Sequence, residues 1–178
     1  FGAGTMNLQL DDSNETTPAE SISSTFSLPS MSPGDTAAQL ISLHNAGTTD
    51  IAEVALGLTS TNNDPDDPDN SDLRSVLLMK IVENGTVSAG DNGTICTGGN
   101  NVTNSVDGQV GNNGTPLTMV EFTGDTYDSL AIPLLSGGAN ANVCIEVELD
   151  PLNTGNIYQG DSANATFVFT AHQDTSQT

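Results

Sequence analysis

Five aspartates crowded into one short segment are the residues best suited to chemistry in this sequence. They are Asp64, Asp66, Asp67, Asp69 and Asp72, all within nine positions. Calcium binds six to eight hard oxygen atoms, and aspartate carboxylates supply such ligands. The spacing is not that of an EF-hand, because Pro65 and Pro68 interrupt it and the central glycine is missing. The segment predicts a calcium site, with a solvated acidic loop that binds no ion as the alternative.

Recognisable catalytic patterns are missing from the sequence. His44 and His172 are the only histidines, and no His-Glu-x-x-His, Gly-x-Ser-x-Gly or phosphate-binding loop pattern occurs. A hydrolase requires a nucleophile paired with a base, or a metal with an open coordination position. With no tryptophan and two tyrosines, the chain also offers few aromatic platforms for sugars. We therefore predict a protein that is not an enzyme, and we interpret His44 as a residue at the end of a strand.

The charge balance and the lack of a long apolar stretch exclude two classes of partner, nucleic acids and the membrane interior. The chain has 23 acidic side chains against one arginine, Arg74, and one lysine, Lys80, which gives a net charge of -21. Nucleic-acid-binding proteins neutralise phosphates with basic side chains, and no apolar stretch approaches the roughly 18 residues of a membrane-spanning helix. We expect neither nucleic-acid binding nor membrane insertion. We also expect cations or salt to screen the repulsion between copies that pack together.

Two features indicate an extracellular protein, and the first is a set of six acceptor sequons for N-linked glycans. Their asparagines are Asn14, Asn84, Asn92, Asn101, Asn113 and Asn164. The second is a single pair of cysteines, Cys96 and Cys144, which predicts a disulfide; two separate buried thiols are the alternative. The sequence starts at Phe1 without an initiator methionine, and we interpret it as a secreted protein whose signal peptide has been removed.

Alternation of apolar and polar residues between turns rich in Gly, Pro, Asn and Asp predicts an all-β protein. In the clearest strand, residues 141–149, the apolar side chains from Val143 onward face one way. A second clear strand, residues 163–171, places Asn164 on its polar face. The other predicted strands are residues 5–10, 22–28, 37–43, 51–59, 76–83, 117–122 and 130–135.

This spacing of strands predicts one domain, residues 11–178, built as an antiparallel two-sheet sandwich of the jelly-roll type. Residues 1–10 form an N-terminal strand beside it. Two loops interrupt the strands: an acidic loop at residues 62–72 and a Gly- and Asn-rich loop at residues 84–115 that carries most of the sequons. At most short helices are expected, one of them near Asp72. The disulfide would fix the second loop to the outer face of a sheet.

Three segments resemble the TasA/camelysin family of biofilm-matrix proteins, which includes the subunits of archaeal bundling pili. They are Phe1-Gly-Ala-Gly-Thr-Met-Asn-Leu-Gln-Leu10, the stretch from Met31-Ser-Pro-Gly-Asp35 through Leu43-His-Asn-Ala-Gly47 to Ile51-Ala-Glu-Val-Ala-Leu56, and Ile157-Tyr-Gln-Gly-Asp-Ser162. Their order and spacing match in residues 1–60 and 140–173, whereas the middle of the chain shows no recognisable match. The resemblance implies a jelly-roll fold and a biofilm-matrix or pilus-like fibre. The sequons, the cysteine pair and the acidity fit the archaeal members better than the bacterial ones.

Family members assemble by donor-strand complementation, in which an N-terminal strand of one subunit completes a sheet of the next. Because donor and acceptor surfaces differ, the contact is head-to-tail and generates an open filament. The sequence departs from the bacterial members by starting at Phe1, without a preceding segment to serve as donor. We therefore expect residues 1–10 to be the donor themselves, with Phe1, Met6, Leu8 and Leu10 as apolar anchors. The alternative is that these residues form the first strand of their own sandwich. The metallopeptidase name of some camelysin relatives is not carried over, because the ligands for that chemistry are missing.

The sequence therefore predicts a structural subunit of an extracellular filament that polymerises with copies of itself. N-linked glycans would coat the outside, and calcium ions would bridge acidic surfaces. The alternative function is a monomeric, calcium-dependent surface adhesin or an accessory domain of a surface layer. The two functions differ in whether the sandwich leaves an edge for another copy to fill.

Overall fold

In the computed structural model, the chain forms two β-sheets, and its described residues contain very little helix. It describes residues 8–10, 21–27, 31–63, 71–102, 117–124, 126–130, 137–152, 156–158 and 161–172. The strands are β1 (Leu8–Leu10), β2 (Ser21–Ser27), β3 (Thr36–Asn45), β4 (Glu53–Asn63), β5 (Leu77–Glu83), β6 (Thr86–Gly90), β7 (Gly93–Thr97), β8 (Asn100–Asn101), β9 (Leu117–Thr118), β10 (Thr126–Leu130), β11 (Asn140–Leu149) and β12 (Ser162–His172). The described helical elements are α1 (Met119–Phe122) and the 3₁₀ turns Leu73–Ser75 and Asn156–Tyr158. The prediction of an all-β, two-sheet sandwich is confirmed.

Strand β11 lies inside the larger sheet, whose main order is β6-β7-β3-β11-β5-β8. It pairs antiparallel with β3 along one edge and with β5 along the other. The apolar residues that alternate along it are all buried between the sheets, as predicted: Val143, Ile145, Val147 and Leu149. Two short strands pair beside the main path, β1 with β3 and β9 with β5.

The smaller sheet has the order β10-β4-β12-β2 and forms the other side of the core. Along β12, Phe167 and Phe169 are fully buried while Asn164 is exposed, so the predicted alternation of this strand is confirmed. The largest side chains buried between the sheets include Phe122, Leu43, Ile51, Leu56, Leu58, Leu77, Met79, Ile81 and Met119. Each such side chain contributes about 1.5–3 kcal/mol by leaving water, which makes this shared core the main source of stability.

Residues 117–122 do not form the single strand that their alternation predicted. β9 covers only the first two of them, and the chain then enters α1. The Thr118 hydroxyl accepts a hydrogen bond from the Glu121 backbone N–H at 3.3 Å, and the Glu121 carboxylate accepts one from the Thr118 N–H at 2.9 Å. This reciprocal capping satisfies donors that the start of a helix leaves open. It buries Met119 and Phe122 on one side of the turn, so the strand prediction was wrong here.

Three other boundaries differ less from the prediction. β4 continues to Asn63, past the predicted end at residue 59. β10 occupies Thr126–Leu130, so it ends at the residue where the predicted strand 130–135 begins. Residues 131–136 lie outside the described residues. The short helix predicted near Asp72 is the 3₁₀ turn Leu73–Ser75, with Asp72 as its cap.

The segment predicted as a long loop at residues 84–115 holds regular structure in its first half. β6 and β7 form an antiparallel hairpin, and β8 pairs with the end of β5. The loop prediction was therefore wrong for residues 86–101, and residues 103–115 lie outside the described part of the chain. The hairpin strands are five residues long and rich in Gly and Thr, so their alternation is too short to stand out from turn sequence.

A glycine allows the hairpin to join the larger sheet. Gly93 has a φ of 137° and pairs in parallel with Thr36 of β3. A β-carbon at this position would collide with the Thr36 carbonyl oxygen, so the backbones can approach this closely only because the side chain is missing.

The predicted disulfide between Cys96 and Cys144 is present. Cys96 belongs to β7 and Cys144 to the outer face of β11, so the bond holds the hairpin against the larger sheet. Both cysteines are buried in a small cluster with Val82, against which Ala38 packs. β11 is therefore covered on both faces at this point, by the core on one side and by the hairpin on the other.

We predict that the double variant Cys96→Ala/Cys144→Ala has a free energy of unfolding about 4 kcal/mol lower than wild type. In the chain-entropy model, this is the stabilisation gained by closing a loop over 48 positions. Urea unfolding followed by circular dichroism measures the loss. Wild-type protein unfolded in a reducing agent is the matched control and should reach the same midpoint. An unchanged midpoint in the variant would contradict the assignment of this bond as the main anchor of the hairpin.

Candidate assembly edge and acidic end

The N-terminal strand lies at one edge of the larger sheet. β1 pairs antiparallel with the end of β3, in a register that places Gln9 opposite His44. Three residue pairs form this contact. Of the four predicted anchors, Leu8 and Leu10 lie in β1, whereas Phe1 and Met6 lie outside the described residues.

The opposite end of the same edge meets the hairpin. β7 pairs with β3 only at Thr36, and the Thr94 hydroxyl accepts a hydrogen bond from the Ala38 N–H at 2.7 Å. Between this contact and β1, Leu40 lies on the outer face and is 40% exposed. Among the described strands, β1 and β7 occupy the two ends of the edge, so β1 is attached to the sheet through a short contact.

Polar side chains link β3 to β11 on the outer face next to β1. The His44 Nδ1 and Asn140 Oδ1 atoms lie 2.5 Å apart, and the Ser42 hydroxyl donates to Asn142 Oδ1 at 2.9 Å. Cross-strand pairs of this kind stabilise a sheet. His44 thus lies near the end of its strand in a structural contact, as the sequence indicated.

An ion pair between β5 and β11 holds the hairpin through its β7 strand. Lys80 on β5 and Glu146 on β11 lie side by side, with Lys80 Nζ 3.2 Å from Glu146 Oε2. The same carboxylate oxygen accepts the Cys96 N–H at 2.6 Å, and Lys80 Nζ donates to the Cys96 carbonyl at 3.1 Å. Both backbone groups of Cys96 are therefore bound by charged partners, which gives stronger hydrogen bonds than neutral groups do.

Sequence analysis missed this group because the pairing of β5 with β11 and the fold of the hairpin create it. Lys80 and Glu146 are 66 positions apart, and no local pattern connects them. The available signal was indirect: Cys144 and Glu146 lie on the same face of a strongly alternating strand, so whatever covers the cysteine also approaches the carboxylate.

Glu148 follows on the same face of β11. Partial burial raises the pKa of its carboxyl group, and the negative charges of Glu146 and Asp150 raise it further. Glu148 lacks the lysine contact that Glu146 has, since Leu78 is the β5 residue opposite it. Glu146 thus has a cationic neighbour, whereas the charges that act on Glu148 are the negative ones of Glu146 and Asp150.

The arginine of the chain binds the last aspartate of the acidic segment. Arg74 Nη2 lies 2.6 Å from Asp72 Oδ2 and Arg74 Nε lies 2.9 Å from Asp72 Oδ1, which is a two-pronged pair. The hydrogen bonds from Arg74 hold the pKa of Asp72 below its usual range. Arg74 also donates to the Ser60 carbonyl at 3.1 Å. Asp72 is therefore a structural residue, and both of its carboxylate oxygens already have partners.

The two ends of the acidic segment are fixed to the sandwich. The Asn62 side chain donates to the Ser71 carbonyl at 3.1 Å, and the Ser71 hydroxyl donates to Asp161 Oδ2 at 3.0 Å. The other predicted calcium ligands lie outside the described residues: Asp64, Asp66, Asp67 and Asp69. The structure thus brings Asp161 to the end of the segment, and calcium binding stays a prediction.

Asp35, in one of the motifs that carry the family resemblance, shapes the turn before β3. Its Oδ2 accepts the Ser32 N–H at 2.7 Å and closes the turn that leads into β3. Within the described ranges, no group of three His, Cys, Asp or Glu side chains is placed to hold a metal ion.

Four sequons fall within the described residues, and their asparagines are exposed: Asn84, Asn92, Asn101 and Asn164. Asn84 stands in a turn before β6 with a φ of 52°. Asn92 closes the β6–β7 hairpin, and its side chain donates to the Gly34 carbonyl at 3.4 Å. Asn14 and Asn113 lie outside the described residues. Glycosylation of all six stays a prediction.

A buried asparagine explains one of the motifs that carry the family resemblance. Asn45 is fully buried; its Oδ1 accepts the Gly47 N–H at 3.0 Å, and its Nδ2 donates to the Thr49 carbonyl at 2.9 Å. The side chain thus shapes the turn that carries the chain from one sheet to the other. Asparagine suits this position because its amide offers a donor and an acceptor together.

A model of the family described as camelysin metallo-endopeptidase matches the chain over residues 1–178. The chain belongs to the camelysin family. The TasA/camelysin resemblance found at both ends of the sequence is thereby confirmed, and the match extends through the middle of the chain. Among curated proteins, none matches it. In the part of the chain that the structure describes, no helix is long and apolar enough to cross a membrane.

The family description raises the question of whether this camelysin-family chain could hold a catalytic metal. Zinc in metallopeptidases is held by three protein ligands with a water in the fourth position. His44 lies in β3 of the larger sheet, and His172 lies in β12 of the smaller sheet. In the register of β12 with β4, His172 stands opposite Glu53. Among the described side chains, the donors do not fit such a site.

We predict that Glu146→Gln and Glu148→Gln change stability in opposite directions at pH 7. Loss of the Glu146 charge weakens the bonds to Lys80 and Cys96, and the Glu146 side chain is only 11% exposed. We expect a loss of about 1–2 kcal/mol. Urea unfolding of both variants measures it, with Glu148→Gln as the control on the same strand. Equal midpoints for the two variants would contradict the role of the ion pair.

For Glu148→Gln we predict a small gain at pH 7 that disappears in acid. The pKa of Glu148 is raised in the folded chain, so the folded state binds this proton more tightly than the unfolded state does. The stability from this proton is present below pH 4.5, the ordinary pKa, and is lost as the pH rises through the folded value. The neutral glutamine avoids that loss, and solvent screening limits the gain to less than about 1 kcal/mol. Thermal unfolding at pH 7 and pH 4 tests it; a gain of the same size at both values would refute this explanation.

Proposed function

We propose that this camelysin-family chain is a secreted structural subunit that polymerises head-to-tail into an extracellular fibre of the biofilm-matrix or pilus type. The observation that carries the proposal is the attachment of β1. This N-terminal strand contacts the larger sheet through three residue pairs at the edge of β3, which is the kind of contact that another chain can make equally well.

Exchange of β1 between copies would create the polymer. The pairs that β1 makes with its own β3 are the same as those it would make with the β3 of a neighbour. An element that is exchanged between identical chains forms a closed dimer if the exchange is mutual and an open filament if each copy gives to the next. Donor-strand complementation is the second case, with residues 1–10 as donor and the β3 edge as acceptor.

The charge of the chain supports a polymer whose contacts are made by backbone. The net charge of -21 repels copies from one another, and β1 contains no charged residue. Main-chain hydrogen bonds along an uncharged strand avoid bringing carboxylates together. Calcium ions between acidic surfaces would reduce the remaining repulsion, in keeping with the predicted affinity of the acidic segment.

We further propose that the chain has no peptidase activity. The donor atoms of a zinc site are not assembled among the described side chains, and the sequence contains two histidines in all. The function would then be mechanical, with the sandwich as the repeating unit and N-linked glycans covering it.

The second candidate function is a monomeric, calcium-dependent adhesin or an accessory domain of a surface layer. One observation favours it: β1 pairs with β3 of its own chain, so the same contact can close the sandwich without a neighbour. The acidic segment, fixed at both ends near Asp161, would be the calcium-dependent part.

A cysteine pair across the β1–β3 contact separates the two functions. We predict that Gln9→Cys/His44→Cys, whose positions are register partners, forms covalent ladders on a non-reducing gel after mild oxidation of assembled protein. His44→Cys/Asn140→Cys joins partners within one sheet and is the control that should stay monomeric. Single-chain crosslinks in the first variant, under conditions that include calcium, would support the adhesin and overturn strand exchange.

Removal of residues 1–10 is the complementary test. The donor proposal predicts a folded chain that no longer forms fibres in negative-stain microscopy, with and without a calcium chelator. Circular dichroism checks folding. If the shortened chain unfolds, residues 1–10 belong to their own sandwich, and the donor proposal fails.

A further inference from the structure

The sheets of a sandwich end in edge strands, and an exposed edge can pair with another chain. Among the described strands, the larger sheet ends at β6 on one side, and β8 and β9 lie on the other; the smaller sheet ends at β10 and β2. β8 and β9 are two residues long. β10 carries Asp128 and an irregular register. Short length, charge and irregularity are devices that protect an edge, so three of these strands are protected.

β2 and β6 have none of these devices. Neither strand contains a charged residue or a proline. β2 lies beside β1 at the candidate assembly edge, so its surroundings belong to the function already proposed. β6 is remote from that role, because it forms the outer strand of the hairpin that the disulfide holds.

The chemistry of β6 would favour pairing with a second copy of this chain. Its residues read Thr-Val-Ser-Ala-Gly, and Val87 is 37% exposed. Two copies that meet antiparallel along β6 would bring no carboxylate of the strand into contact, although each chain carries 23 acidic side chains. This uncharged edge, which includes the β-branched residues Thr86 and Val87, is therefore the place where the repulsion between copies protects least.

Two glycan acceptors stand at the two ends of this strand. Asn84 lies two positions before β6 and Asn92 lies two positions after it, and both are exposed. Both asparagines stand in turns, so the two positions that separate each of them from β6 span less than the roughly 7 Å of extended chain. A sugar on either asparagine would therefore lie near the end of the strand. An N-linked glycan is bulky and soluble, so a glycan beside the unprotected edge would hinder the approach of another strand.

We infer that N-linked glycans on Asn84 and Asn92 guard the edge of β6 against pairing with a second copy of this chain. The guard takes the place of the short length, charge or irregular register that protects β8, β9 and β10. This inference concerns contacts along the side of the hairpin and does not depend on filament assembly through β1.

The test compares glycoproteins that differ in one or two sequons, with site occupancy measured by mass spectrometry. Asn84→Gln/Asn92→Gln removes the guard, and Asn164→Gln removes an exposed sequon from β12, a strand inside the other sheet, as the matched control. Sedimentation velocity over a range of concentrations should show association of the double variant at about tenfold lower concentration. The control should behave like wild type. Enzymatic removal of glycans from folded wild-type protein gives the same comparison without any substitution.

A third variant identifies the edge. Val87→Lys places a charge on β6, a natural way to block an edge, and should abolish the association of the double variant. All these proteins share residues 1–10, so any fibre formation through β1 is common to them and is scored separately by microscopy. The inference fails if the wild type carries no sugar on either asparagine. It also fails if the double variant associates no more than Asn164→Gln, or if Val87→Lys leaves the association unchanged.

Discussion

Strand β11 is the constraint around which the described structure is arranged. It has a strand on each edge, the core on one face and the hairpin on the other, so nearly every group along its middle is out of water. Such a strand tolerates polar side chains only where partners are supplied. Cys144 meets this demand through the disulfide, and Glu146 meets it through Lys80 and the Cys96 backbone. The hairpin is thus held at one residue of β7 by a covalent bond and by charged hydrogen bonds together.

The scarcity of basic residues gives the fold an unusual distribution of charge. Each of the two cationic side chains lies in an ion pair within the chain, Arg74 with Asp72 and Lys80 with Glu146. Neither is therefore a ready partner for the carboxylates of another copy. Contacts between copies must then rely on bound cations or on surfaces without charge. The uncharged strands β1, β2 and β6 are such surfaces, so strand edges suit contacts between copies better than salt bridges do.

Local patterns in the sequence were sufficient where a single strand decides its own environment. The alternation in β11 and β12 predicted the buried face of each strand, because period-two patterning is a property of the strand itself. The cysteine pair was predicted from number and compartment alone. The same logic failed at residues 117–122, where the capping by Thr118 and Glu121 outweighs an apparent alternation. It failed again at residues 86–101, where five-residue strands look like turn sequence.

The parts that could not be predicted depend on which strands become neighbours. Lys80 meets Glu146 because β5 pairs with β11 in one particular register; a shift of one residue would place Lys80 on the other face. Asp72 was predicted as a calcium ligand from the density of aspartates, which stays a prediction, and in the structure its carboxylate pairs with Arg74, two positions away. An acidic segment read alone cannot reveal that one of its members is already neutralised.

The short contact between β1 and β3 is consistent with both closed and polymeric forms of the chain. A hydrogen bond within a protein contributes about 0.5–1.5 kcal/mol net of its exchange with water, so the backbone hydrogen bonds of three residue pairs contribute a few kcal/mol. The same bonds can form within one chain or between two copies. The closed form has the advantage of a high effective concentration of the attached strand. A polymer would outweigh that advantage only by adding contacts between subunits beyond the exchanged strand, and for a chain of this charge such contacts require screening cations.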